Sequence, residues 1–65
     1  MNTKMKSEPL YTLQTEIALL ELFNTPKDDR WALLFGYKYQ VIKNEEKLFY
    51  FQTKDEAMDF INMHE

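Results

Sequence analysis

The stretch Trp31–Thr53, WALLFGYKYQVIKNEEKLFYFQT, decides how this chain folds. Two runs rich in aromatic and β-branched residues flank a charged turn. In the first run Trp31, Leu33, Phe35, Tyr37, Tyr39 and Val41 alternate with Ala32, Leu34, Gly36, Lys38, Gln40 and Ile42. Period-two alternation of such residues predicts a half-buried strand. Trp31 opens that strand and is expected to be largely buried beside Leu33 and Phe35. Gly36 packs no side chain and reads as a bulge or a close approach of another backbone.

The turn, Lys43-Asn44-Glu45-Glu46-Lys47, contains no Asn-Gly or Asp-Gly, so nothing marks a two-residue loop. An odd-length loop pairs Val41 with Phe49, Tyr39 with Phe51 and, on the far face, Gln40 with Tyr50. A two-residue loop on Asn44-Glu45 sets Phe49 and Phe51 beside Gln40 and Lys38 instead. A slip of one residue moves every side chain to the other face, so the amphipathic, odd-loop register is predicted. A three-residue loop sets Lys43 against Lys47, so the charges favour five. Asn44 is the turn residue that best tolerates positive φ.

A two-stranded hairpin is marginal alone and needs cover. Part of that cover is written in Thr53-Lys54-Asp55-Glu56, a capping box with threonine at the cap and glutamate three residues on. Asp55 adds favourable charge at a helix N-terminus. The helix that follows places Ala57, Met58, Phe60, Ile61 and His64 on one broad face. Asp55, Glu56, Asp59 and Asn62 take the other.

The remaining cover is expected from Pro9–Asn24, read as a helix begun at Ser7 or Thr12 and ended by Pro26, which biases Thr25 away from the helical region. Leucine, alanine and glutamate favour helix. Leu10, Leu13, Ile17 and Leu20 form one stripe; Ala18, Leu19, Leu22 and Phe23 lie off it. A helix apolar most of the way round contacts something on two sides. Leu19, Leu22 and Phe23, together with Tyr50 of the hairpin, are therefore the candidate partner-binding residues. The competing reading takes IALLELF as a third strand, because a short apolar run fits either period. The predicted architecture is α+β in the order helix, strand, strand, helix: a two-stranded antiparallel hairpin packed by two helices. Residues 1–8 form a disordered polar tail, and residues 9–65 a single domain.

Sixty-five residues bury only about 60% of their unfolded surface. With no cysteine, neither disulfides nor zinc–thiolate sites staple the chain, and aromatics at 15% take over that task. No apolar run spans a bilayer. Lys4 and Lys6 precede no apolar core of a signal peptide, so no membrane association and a cytoplasmic location are expected. The single glycine excludes glycine-rich phosphate loops. There is no Gly-x-Ser-x-Gly elbow, and the one histidine, His64, lies at the chain end. Asp28-Asp29 reads as a solvated turn, since no third ligand has a fixed spacing to it, and Glu45-Glu46 as an exposed one. No catalytic, cofactor or metal residue is assigned, and the expectation is a protein that is not an enzyme.

Two strands followed by Phe51-x-Thr53-Lys54-x-Glu56-Ala57 resemble the ββα end of the arm-binding domains of phage-type integrases, over Val41–Ile61. That resemblance implies a sheet laid on DNA. Those domains are basic and carry an additional strand, whereas this chain has a net charge of −3. The short length and the Lys-, Asn- and Phe-rich composition are also similar in style to small accessory proteins of phages and mobile elements. The functional expectation is a non-catalytic protein-interaction module, self-associated or bound to another protein as accessory or inhibitor. The alternative is a DNA-binding accessory module using the hairpin.

Overall fold

The computed structural model describes residues 8–65; the tail expected over residues 1–8 lies, apart from Glu8, outside them. The elements in order are β1 (Tyr11–Gln14), β2 (Leu19–Asn24), α1 (Arg30–Leu34), β3 (Tyr39–Lys43), β4 (Lys47–Phe51) and α2 (Lys54–Asn62). The strands form one antiparallel sheet in the order β1-β2-β3-β4.

This corrects the predicted architecture in three ways. The sheet has four strands, the order of described elements opens with two strands, and the helix expected over Pro9–Asn24 is the hairpin β1–β2. The strand reading of IALLELF prevails because Leu19–Asn24 has partners on both sides, Tyr11–Gln14 and Tyr39–Lys43. A helix there would leave the β3 edge without its ladder, a cost that outweighs the fractions of a kcal/mol by which leucine and alanine prefer helix. The turn between β1 and β2 has none of the usual glycine, proline or asparagine. Thr15 closes it: its Oγ1 accepts from the N–H groups of Ile17 (3.2 Å) and Ala18 (3.0 Å), and its own N–H donates to the Ala18 carbonyl (2.7 Å).

The second hairpin has the predicted register: Val41 faces Phe49, Tyr39 faces Phe51 and Gln40 faces Tyr50. Its loop has three residues, with Lys43 opposite Lys47, so the charge argument for five does not hold. Lys47 stands in solvent, where repulsion is screened. Asn44 (φ 54°) and Glu45 (φ 60°) make the turn with left-handed backbone. Asn44 also ties it to β2, its side-chain carbonyl accepting from the Leu19 N–H at 2.8 Å and its N–H donating to the Leu19 carbonyl at 2.8 Å.

The segment from Trp31 to Leu34 is helical, although its sequence alternates. Asp29 caps it, Oδ1 accepting from the Ala32 N–H at 3.4 Å. Gly36 ends it at φ +84°. The Gly36 N–H donates to Leu33 and the Tyr37 N–H to Ala32, the paired bonds of a Schellman stop. Gly36 is thus a helix stop and not a strand bulge. The capping signals at both ends are local and decisive for a helix of five residues.

The core lies between the sheet and α2. Leu20, Leu22, Val41, Ala57 and Ile61 are fully buried, with Leu13, Tyr39, Phe51, Met58 and Phe60 packed around them. Phe60 meets Phe49 and Phe51, with ring centroids 4.7 Å and 5.3 Å apart. Thr53 caps α2 as predicted, accepting from the Glu56 N–H at 3.2 Å. Glu56 reaches back to the Gln52 N–H at 3.3 Å, one residue before the cap itself.

Candidate partner-binding surface

Antiparallel pairing sorts the strand residues between two faces. Leu20, Leu22, Val41, Phe49 and Phe51 face α2. Leu19, Glu21, Phe23, Gln40, Ile42, Leu48 and Tyr50 face away from it, with Glu21, Ile42 and Leu48 in one cross-strand row and Phe23, Gln40 and Tyr50 in the next. α1 adjoins this second face at Tyr50. The Tyr50 hydroxyl donates to Asp29 Oδ2 at 2.6 Å, and the Trp31 ring lies 5.3 Å from the Tyr50 ring. Tyr37 completes the cluster, 5.8 Å from Tyr50 and 6.3 Å from Trp31, and Phe35 meets Trp31 edge-on at 5.6 Å.

The cluster is only partly closed. Ala32 is the single buried residue of α1. Trp31 is 54% exposed, Leu34 81% and Phe35 62%, and Leu33 and Leu48 are also exposed. The expected burial of Trp31 is therefore corrected: on a helix that inserts only an alanine, the indole packs against Tyr50, Tyr37 and Phe35 and leaves about half of its surface in water. The Asp29 carboxylate, as the hydrogen-bond acceptor, raises the Tyr50 pKa above its ordinary value, with burial and the carboxylate charge adding to the effect.

Over β2 and β3 the open face forms a groove of about 1000 Å³. Phe23, Gln40 and Ile42 line it, along with Pro9 and Pro26. Glu8, Glu21 and Glu45 lie in its lining, and among the described residues no lysine, arginine or histidine does.

The four candidate residues separate. Leu19, Phe23 and Tyr50 are half-buried on the open face, and Phe23 and Tyr50 flank Gln40 in one row. Leu22 is fully buried against α2, which removes it from any contact surface. Sequence reasoning missed Trp31, Leu34, Phe35 and Leu48 as exposed apolar residues. The signal for the first three was the pair of stops around them, Asp29 and Gly36, which leave too short a helix to bury them. His64 sits at the edge of the α2 face, its ring 4.9 Å from Phe60 and its Nδ1 2.9 Å from the Phe60 carbonyl.

Among the described residues no group of three or more His, Cys, Asp or Glu side chains is placed to hold a metal ion. No helix among the described residues is long and apolar enough to cross a membrane. The face away from α2 carries Glu21, Phe23, Ile42 and Leu48, while the register puts Lys43 and Lys47 on the α2 side. No family model, curated protein or solved structure matches the chain.

Proposed function

We propose that this protein is a non-catalytic interaction module that binds another protein through α1 and the adjoining open face of the sheet. One observation carries the reading: Trp31, Leu34 and Phe35 stand largely in solvent on a helix held by its own caps. The core does not use these side chains, and water disfavours them. Contiguous exposed apolar surface marks contact sites, and tryptophan and tyrosine are enriched among the residues that dominate interface energies. The role it fits is an accessory or inhibitory subunit whose action is occupancy of a partner's surface.

The test is affinity capture from the native host with the full chain and with a Trp31→Ala/Phe35→Ser double variant, both checked for folded amide spectra. Retention of one protein by the parent chain and its loss with the folded double variant is the expected result. Capture of nucleic acid alone, released steeply by salt, would replace this reading with the DNA-binding one. Retention of the same protein by both chains would move the contact away from α1.

A further inference from the structure

The groove specifies more than a general affinity for protein. We infer that it docks a basic amphipathic helix of the partner; this rests on the interaction-module reading and deepens it. Two features of the groove choose a helix. Phe23, Gln40 and Ile42 belong to β2 and β3, the inner strands, whose backbone groups are already paired on both sides. An extended segment would find no free edge there, so an occupant must satisfy its own backbone hydrogen bonds, as a helix does. The same sheet also packs α2 on its other face through Leu20, Leu22 and Val41. A second helix on Phe23 and Ile42 would complete a helix–sheet–helix stack, a standard layered arrangement.

The charge of the lining chooses the kind of helix. Glu8, Glu21 and Glu45 are its charged lining residues among the described ones, and all three are acidic. An apolar stripe flanked by lysine or arginine matches both the floor and the rim. Gln40 adds a polar anchor: it is only 6% exposed, yet it lines the groove. A second copy of this chain fits poorly. It carries a net charge of −3, and its nine-residue helix α2 presents Asp55, Glu56 and Asp59 outward.

The experiment titrates the full chain with a short leucine–lysine amphipathic peptide, its leucine–glutamate counterpart and a DNA duplex, followed by amide chemical shifts and fluorescence anisotropy. The lysine peptide should bind, shift Phe23, Gln40 and Ile42, and lose affinity as salt rises. Glu45→Lys lies in an exposed turn and leaves the core untouched; combined with Glu21→Lys it should weaken binding by about tenfold or more. If the double variant does not fold, Glu45→Lys alone must still weaken the lysine peptide measurably. Equal binding of the glutamate peptide, preference for the duplex, shifts on another face, indifference to the charge reversals, or no binding at all would each overturn the inference. Loss of the peptide result while Trp31- and Phe35-dependent capture persists would reject the groove and keep the module. Peptide binding in the groove without such capture would reject the α1 contact instead.

Discussion

The two faces of the sheet draw on similar residues and reach opposite ends. On the α2 side, Leu20, Leu22, Val41, Ala57 and Ile61 are shut away from water. On the α1 side, Trp31, Leu34 and Phe35 are as apolar and stay in it. The difference lies in the covering helix. α2 has nine residues with its apolar positions on one face and its carboxylates on the other. α1 has five, and it buries only an alanine. Length and periodicity, rather than apolar content, decide whether a helix closes a sheet face. The face left open is the one with a groove, a carboxylate rim and an exposed tryptophan.

The contrast breaks most sharply with Leu22→Ala. Leu22 is fully buried, so the substitution should cost roughly 2–5 kcal/mol, a large share of the stability of so small a domain. Urea unfolding would show it; a cost near zero would mean that the α2 side is not the core. Trp31→Ala sharpens the other half. The indole gives up contacts to Tyr50, Phe35 and Tyr37 but leaves no sealed cavity, and about 1–2 kcal/mol is expected. A loss as large as that of Leu22→Ala would show that α1 closes its face after all.

Thr53→Ala tests why α2 holds. Removing the cap should cost about 1 kcal/mol, read as a lower denaturation midpoint with an unchanged slope. No change in midpoint would leave packing alone to hold the helix start. Tyr50→Phe is the smallest effect and depends on pH. The Tyr50 pKa is raised in the folded protein, chiefly by its hydrogen bond to Asp29. Its contribution is complete below the ordinary tyrosine range and fades as pH rises through the folded-state value. Tyr50→Phe should therefore lower the melting temperature slightly at neutral pH and flatten its decline in alkali. Parallel profiles for the two proteins would separate Tyr50 from the alkaline transition.

Several elements were legible because their signals are local. Thr53 and Glu56 mark the start of α2, and the placement of Ala57, Phe60 and Ile61 marks its inner face. The pairing of Val41 with Phe49 follows from the requirement that one face be apolar. Two others misled. IALLELF carries the propensity of a helix, and Thr15 closes its turn with a side chain that composition does not advertise. Trp31–Phe35 carries the alternation of a strand, yet Asp29 and Gly36 cap it as a helix. Of the candidate contact residues, Leu19, Phe23 and Tyr50 share the open face while Leu22 enters the core, a division that reading residues 9–24 as a helix could not make.

By itself the sequence determined the capped C-terminal helix and the register of the second hairpin, since each depends on residues close along the chain or on one hydrophobic alternation. Only the tertiary structure decided that Leu19–Asn24 is a strand and which side chains remain exposed. A short apolar run fits a helix or a strand almost equally well. The backbone groups of β3 need a partner on that edge, and only their pairing with β2 settles the choice.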